Sequence, residues 1–480
     1  MASSSAAAPA SLGLGLGAIG RALLLPAEDD ASAPPAPPLP GLMRLRCAVQ
    51  HYDWGRRGAD SLVARLAAAG EDGACPGDES RPCAELWMGT HPSAPSSLAP
   101  DVSLRDWVAR NPAALGRAVA ARWGGDLPFL FKVRPPGSPV LSVAKALSIQ
   151  AHPDRDLARA LHALRPAAYH DANHKPEMAV AVTEFTALCG FAGTQVPFAC
   201  ARTPTPSPLR AFSHELKEVL RTVPEVLELV GKEEAAKLMS VKEQNEGIGV
   251  RPYLQSAFTN LMIANEEAVS EAISKLKGRL DGESKVRALT KKEKLVLSLE
   301  KQYPGDVGVL AAFFFNYVKL NPGEALYIGA NEPHAYLSGE CIECMATSDN
   351  VVRAGLTPKY RDVHTLCSML TYNQIFPEIL KGVPVQPYVT RYIPQTDEFE
   401  VDHYLLPAGK SVTMSPVPGP SIFLVMTGEG EIKAGSVPDE AKLKEGNIFF
   451  VPAYTEVNLQ ASGPGCMQLY RAGVNSEFLS

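Results

Sequence analysis

No stretch of this chain is both long and apolar enough to cross a bilayer. The longer apolar runs, such as Val309 to Tyr317, fall far short of the roughly 20 residues that a spanning helix requires. An excess of positive charge is also missing. Lys and Arg number 46 against 52 Asp and Glu, a formal net charge of −6, so nothing offsets the backbone charge of a nucleic acid and no such partner is expected. Small phosphorylated ligands stay compatible with this balance, because they need only a few local cations. The nine cysteines are odd in number and scattered. That pattern suits free thiols in a reducing compartment better than a disulfide framework. What the chain does have is ordinary globular composition, 46% hydrophobic and 20% charged over 480 residues. Such a chain buries a large core and divides into about three domains.

Residues 1–42 stand apart, rich in Ala, Pro, Gly and Ser, with Leu12-Gly13-Leu14-Gly15 and Pro34-Pro35-Ala36-Pro37-Pro38 as examples. This composition predicts a disordered low-complexity extension. An organelle transit peptide is the minor alternative. Arg21 is its only basic residue before Arg44, and Glu28-Asp29-Asp30 is acidic, so a cytoplasmic protein is the main expectation. From Met43 to about Phe191 short β-like runs mix with turns and a few helical pieces, and the Pro-rich run Val196 to Pro208 reads as a linker. Leu216, Val219, Leu220 and Val223, then Leu254, Phe258, Leu261 and Met262, then Val269, Ile273 and Leu276 recur at helical spacing. They predict a helical domain of about four helices inserted into the preceding fold. After Pro304 strand patterns return. Ser421 to Met426, Asn447 to Val451 and Met467 to Arg471 are short β-rich runs separated by Gly and Pro, as in a sandwich or barrel. The fold class is therefore mainly β with an α-helical insertion.

Ten histidines are few for this length, so their neighbourhoods are informative. Gln150 and His152 in Leu147 to Pro153 share one face of a strand. Glu177 closes Asn173-His174-Lys175-Pro176-Glu177, and His334 sits in Asn331 to Tyr336 after the turn Asn321-Pro322-Gly323. Gln150, His152, Glu177 and His334 offer two nitrogen and two oxygen ligands, a set that suits zinc with a position left for substrate. Fe(II) or Mn(II) fits the same donors.

At these residues the chain resembles the type I mannose-6-phosphate isomerases (phosphomannose isomerases) of the cupin superfamily. The resemblance is carried by QHYDWG (50–55), AELWMGTHPS (84–93), LPFLFKV (127–133), LSIQAHPD (147–154), NHKPEMAVAVTEFTALCGF (173–191), NEPHAYLSG (331–339) and ECMATSDNVVRAGLTPKYRDV (343–363), in the family's order. It implies two cupin-type jelly-roll β domains plus a helical domain: a catalytic jelly-roll at 43–205 and 301–375, the helical domain at 206–300 and a C-terminal jelly-roll at 376–480. It also implies one zinc ion per chain on Gln150, His152, Glu177 and His334. The substrate would be a sugar phosphate, with mannose 6-phosphate and fructose 6-phosphate interconverted by a monomer that feeds GDP-mannose synthesis. The family's active-site positions fall on Lys132, Ser148, His174, Lys175, Tyr336, Glu343, Asp349, Arg353 and Lys359. In the family FLFKV runs directly into LSV, whereas here Arg134-Pro135-Pro136-Gly137-Ser138-Pro139-Val140 intervene. Three prolines and a glycine cannot continue a central strand, so this run is expected to leave the sheet or distort it beside Lys132.

Aldose–ketose isomerisation moves a proton between C1 and C2 through an enediol, and the carbon acid needs a polarised neighbouring carbonyl. Glu343 is the first candidate for the base and Asp349 the second. Arg353, too basic to accept a proton, is assigned to the enediolate. Lys175 or His174 would open the sugar ring, unless His174 only orients Glu177. Lys359, Lys132 and Ser148 are the candidates for the phosphate, and Tyr336 for packing and a hydrogen bond near the sugar. Two other readings use the same residues: an Fe(II) dioxygenase built on two His and one carboxylate, and a two-cupin sugar-binding protein without turnover. Cys341-Ile342-Glu343-Cys344 reads as two half-buried thiols on a strand rather than a redox pair. His51 and His91 read as hydrogen-bonding residues of the fold. The C-terminal β domain, with Tyr454 where a cupin often has His and His403 as its lone histidine, is expected to bind no metal.

Overall fold

The computed structural model describes residues 39–58, 61–70, 80–134, 145–193, 215–241, 249–435 and 439–480. Most of the low-complexity extension, the run 135–140, the acidic run 71–79 and the linker 196–208 lie outside the described residues.

Strand Phe129–Arg134 shows how the β part is built. All six residues are buried. Side chains of a strand alternate between faces, and here each face has its own partner. Phe129, Phe131 and Val133 join a core with Val401, Ile422, Leu424 and Phe450 of the C-terminal half, while Leu130 packs in a small cluster with Trp87 and Met345 on the other side. The strand belongs to a seven-stranded antiparallel sheet whose neighbours, in order, are Ile379–Leu380, Ala325–Ile328, Glu177–Ala181, Cys341–Ala346, Phe129–Arg134, Glu85–Met88 and Ala48–Gln50. A five-stranded sheet of Phe315–Leu320, Phe185–Phe191, His334–Ser338, Ile149–Ala151 and Val352–Gly355 supplies the opposite wall. Ala179, Ala181 and Leu326 of the first sheet meet Phe185, Ala187 and Tyr336 of the second in a shared interior.

The C-terminal half repeats the architecture. A seven-stranded sheet runs from Met43–Arg44 through Ile448–Val451, Ser421–Thr427, Met467–Gly473, Glu400–Leu406 and Val389–Tyr392 to Val383–Gln386. A four-stranded sheet of Ser411–Met414, Val457–Ala461, Gly430–Ala434 and Asp439–Leu443 closes it. Strand Ser421–Thr427 again faces two ways, with Ile422, Leu424 and Met426 toward the first unit and Phe423 and Val425 toward the interior of its own sandwich. The two units exchange edges. Met43–Arg44 pairs with Phe449 and Phe450, and Ile379–Leu380 pairs with Leu326 and Ala325. Chain order alone would put each of these strands in the other unit.

Between residues 215 and 302 the described residues form six helices: Glu215–Thr222, Pro224–Val230, Lys232–Ser240, Arg251–Ile263, Glu266–Glu283 and Lys291–Gln302. The hydrophobic period had suggested about four. The extra breaks come from Pro224, which starts a new helix at its first turn, and from Gly231, whose φ of +90° ends one helix and opens the next. Asn265 caps the longest helix, and Thr290 with Glu293 forms a capping box on the last. These helices bury Leu254, Phe258, Leu261 and Ile273 in one cluster with Ile149, Ala151, Leu188 and Ala335. The helical unit therefore covers the outer face of the five-stranded sheet.

The described cysteines are free thiols, and Cys341 and Cys344 are fully buried rather than half-buried. His403 stacks on Tyr470 and its Nε2 is 2.9 Å from the Gln468 amide nitrogen, while Tyr454 is 60% exposed. No helix among the described residues is long and apolar enough to cross a membrane.

The C-terminal sheet holds a buried ion cluster. Arg471 donates to Glu400 at 3.1 Å, Asp402 at 2.8 Å and the Ser421 hydroxyl at 2.8 Å, and Arg391 shares both carboxylates. Removing one member of such a cluster leaves an uncompensated buried charge. Arg471→Met is expected to lower stability by about 3–5 kcal/mol, read as a shift of the urea midpoint at constant slope.

Candidate metal centre and active pocket

Gln150 and His334 are direct partners across the ladder between Ile149–Ala151 and His334–Ser338, and Arg353 pairs with Gln150 on the other side. His152 follows that strand immediately, on the face Gln150 uses. Glu177 opens its strand in the facing sheet, opposite Ile328 and Met345. Ligand atoms of His152, Glu177 and His334 lie within 4.8 Å of one another. His152 Nε2 is 3.3 Å from Glu177 Oε1, and His334 Nε2 is 3.5 Å from Glu177 Oε2. All three residues are buried.

Backbone carbonyls decide which imidazole nitrogen is available. His152 Nδ1 lies 2.6 Å from the Asn350 carbonyl and His334 Nδ1 lies 3.0 Å from the Glu332 carbonyl. A carbonyl only accepts, so each Nδ1 carries the proton and each Nε2 keeps its lone pair aimed at Glu177. Burial, reinforced by the Lys175 ammonium, pushes His152 down to about 4, which keeps the ring neutral at neutral pH. Burial alone would raise the Glu177 carboxyl, but the Lys175 ammonium, with Nζ at 2.7 Å, holds it well below the usual range. His152 Nε2 and Glu177 Oε2 are buried without a hydrogen-bond partner, while Glu177 Oε1 is met by the Lys175 ammonium. Buried polar atoms ordinarily have one, so two such atoms clustered with His334 Nε2 fit a bound cation. Two imidazoles and a carboxylate are the donor set of a zinc-type site. Gln150 stands beside them with its amide nitrogen 3.5 Å from His334 Nε2 and its oxygen accepting from Ser148 Oγ at 3.3 Å. Ligation through oxygen needs the opposite amide orientation.

Gln150 and Lys175 also border a pocket of about 580 Å³. Strands supply Lys132, Arg134 and Arg353 to it, Gln302 to Asp306 supply the side toward the helical unit, and the loop Leu356 to Lys359 closes it. Asp306 anchors that loop by accepting from the backbone N–H groups of Gly308, Leu356 and Thr357 at 2.7, 2.7 and 3.1 Å. Gly355 allows the approach, since a Cβ there would lie 2.6 Å from the Gly308 Cα. Arg353 and Lys359 both face the pocket, and among the described residues no carboxylate lies within ion-pair distance of either. Burial without a compensating charge lowers the Arg353 guanidinium from its ordinary value. Two such cations in one pocket favour an anionic ligand.

The pocket gathers Lys132, Ser148, Gln150, Lys175, Asp349, Arg353 and Lys359 from the residues read in the sequence. Three others do not line it. His174 Nε2 lies 2.8 Å from Glu398 Oε1 and 2.8 Å from the Arg155 guanidinium, so its partner is a carboxylate of the C-terminal half rather than Glu177. Glu343 has no exposed surface and is held by Arg134 at 2.6 Å. Tyr336 is 2% exposed, its ring edge-on to Phe185 and its hydroxyl without a hydrogen bond. The expected departure from the sheet at Arg134 is corrected. Its backbone continues the ladder opposite Cys341, and Lys132 is paired on both sides, with Glu343 and Trp87.

Sequence reasoning missed Arg134, Glu85, Trp87, Tyr52 and Lys145, all on the pocket wall. Glu85 and Trp87 alternate within Glu85–Met88, which puts them on one face, but nothing local says that this face is the pocket. His51 donates from Nδ1 to the Pro82 carbonyl at 2.8 Å. His91 accepts from the Ser93 N–H at 3.2 Å, and its Nε2 is also 3.3 Å from Asp349 Oδ1. Its role therefore extends to a pocket carboxylate.

The model for the phosphomannose isomerase type I catalytic domain matches residues 42–194, and that for the type I helical insertion domain matches 229–315. A mannose-6-phosphate isomerase 1 of Arabidopsis thaliana is 53% identical over 91% of this chain and 95% of its own length. This chain belongs to the type I phosphomannose isomerases. It is thus an isomerase with the cupin-type fold and helical insertion of that family. The Bos taurus mannose-6-phosphate isomerase is 40% identical over 89% of this chain and 97% of its own length. A crystal structure of a mannose 6-phosphate isomerase bound with zinc and yttrium superposes with a TM-score of 0.71 at 28% identity, covering 91% of this chain and all of that one.

Glu177→Gln keeps the shape of the site and removes its charge. It is expected to weaken metal binding by more than about 100-fold, measured by titration of metal-stripped protein and by elemental analysis after dialysis.

Proposed function

We propose that this chain interconverts mannose 6-phosphate and fructose 6-phosphate through an enediol, with one zinc ion per chain held by Gln150, His152, Glu177 and His334. The observation that carries the reading is the convergence of two Nε2 lone pairs and one ionised carboxylate next to Gln150 and Lys175, which border a cation-lined pocket. Its type I relatives, named for the same activity over nearly their whole length, support it. When bound, zinc polarises the substrate oxygen next to the carbon that loses its proton.

The residues of the chain do the rest. Lys359 and Arg353 receive the anionic groups, Lys359 the phosphate and Arg353 the enediolate that develops beside Gln150. Lys132 and Ser148 add a cation and a hydroxyl to the lining of the pocket. Asp349 is the better placed of the two candidate bases. It lies on the pocket, and hydrogen bonding to His91 outweighs its partial burial and keeps it ionised below the ordinary carboxylate range. Glu343 lacks access to a substrate carbon, and its charge is used on Lys132 and Arg134. Lys175, held at Glu177, is positioned to shuttle the ring-opening proton. Tyr336 packs behind the site, and His174 ties this segment to Glu398. We place the enzyme in the cytoplasm as a monomer, supplying mannose for GDP-mannose synthesis.

Chelation should abolish mannose 6-phosphate isomerisation in a coupled assay, and zinc should restore it. Asp349→Asn should lower kcat by roughly 100-fold to 10,000-fold, the range for loss of a positioned proton carrier, with KM nearly unchanged. Metal-replete protein without any aldose–ketose exchange would remove the functional reading.

A further inference from the structure

The pocket wall made by Glu85–Met88, Phe129–Arg134 and Cys341–Ala346 carries two acids and two cations. Trp87, Lys132 and Glu343 lie opposite one another across the three strands. Arg134 and Glu85 lie two positions along their strands, on the same face. The four charges do not share one another equally. Arg134 takes the short contacts, 2.7 Å from Nη2 to Glu85 Oε1 and 2.6 Å from Nη1 to Glu343 Oε1. Lys132 Nζ stays 3.7 Å from Glu85 Oε2 and 3.5 Å from Glu343 Oε2, longer than an ordinary hydrogen bond. Its ammonium rests over the Trp87 ring at 4.7 Å, while Trp87 Nε1 donates to Glu85 Oε2 at 2.5 Å. The Arg134 guanidinium is clamped between the rings of Trp54 and Tyr336, at 5.5 and 5.3 Å.

With Lys132 alone, this wall would present two carboxylates against one cation, and a net negative charge would face an anionic substrate in a poorly screened space. The planar fork of Arg134 binds both acids at hydrogen-bond distance, whereas the lysine ammonium stays 3.5 and 3.7 Å from them. We propose that Arg134 is a positioning residue for substrate binding: it locks Glu85 and Glu343 in one fork, cancels the second carboxylate and leaves the Lys132 ammonium to meet the anionic sugar. Arg134 is the first of the seven residues that separate FLFKV from LSV in this chain. The inserted run therefore contributes a charge to the pocket as well as length to the chain.

This inference rests on the isomerase reading, and one set of steady-state measurements separates the two. Wild type, Arg134→Gln, Glu85→Gln and the double variant are assayed with mannose 6-phosphate over a range of salt concentrations. Arg134→Gln should raise KM about tenfold or more, the weight of one charge-assisted contact, with kcat much less affected. The rise should shrink as salt increases, because repulsion is screened. Glu85→Gln alone should lower KM, and added to Arg134→Gln it should bring KM back to within about threefold of wild type, the usual spread when substitutions are combined. An unchanged KM in Arg134→Gln, or a rise that Glu85→Gln does not relieve, overturns the role. If Arg134→Gln fails to fold, Glu85→Gln alone decides, and a KM equal to or above wild type overturns it. A wild type inactive on this substrate sinks the isomerase reading instead.

Discussion

A carboxylate without exposed surface is the constraint around which the rest of this molecule is arranged. Burying an ionised acid costs several kcal/mol unless opposite charge or a metal meets it. Glu177 is met by an ammonium at 2.7 Å, and two imidazole lone pairs at 3.3 and 3.5 Å complete with it a donor set for a cation. The ammonium is two residues away, but the imidazoles sit on two other segments of the chain. Holding them together takes two facing sheets, with Glu177 in one and Gln150 and His334 in the other. The backbone carbonyls of Asn350 and Glu332 then fix each imidazole in the one tautomer that leaves Nε2 free.

Sheets that surround such a site must be covered on their outer faces, and each is covered differently. The helical unit packs on the five-stranded sheet, and the C-terminal sandwich packs on the seven-stranded one. This is why Phe129–Arg134 and Ser421–Thr427 read as nearly continuous apolar runs: both faces of each strand are inside. The exchanged edge strands Met43–Arg44 and Ile379–Leu380 bind the two β units along their lengths. The C-terminal half also reaches the site region through Glu398, which holds His174. That half lacks a metal cluster among the described residues, yet it is part of what keeps the catalytic half in shape.

Much of the fold and the metal cluster was readable in advance because the relevant rules are local. Gln150 and His152 share a face through a period of two, and the helical period of Leu254, Phe258 and Leu261 marked the inserted unit. Breaks inside that unit were harder, since Gly231 and Pro224 act on single residues within an otherwise helical pattern. Glu343, His174 and Tyr336 were located in the right neighbourhood but do not line the pocket. Two of them are taken up by a partner distant in sequence: Arg134 covers Glu343, and Glu398 holds His174. Arg134 was misread for a related reason. Three prolines follow it, but its own backbone still completes the ladder opposite Cys341.

The amino-acid order by itself determined which segments become strands and helices, and which donor atoms a metal could find. Those properties follow from backbone periodicity and side-chain chemistry, which each residue carries with it. Only the tertiary structure decided which nitrogen of each imidazole faces Glu177, which carboxylate opens onto the pocket and which is sealed behind it, and how Arg134 and Lys132 divide two acids between them. Those outcomes depend on burial and on Coulombic attraction across a few ångströms of space, and sequence separation does not encode such distances.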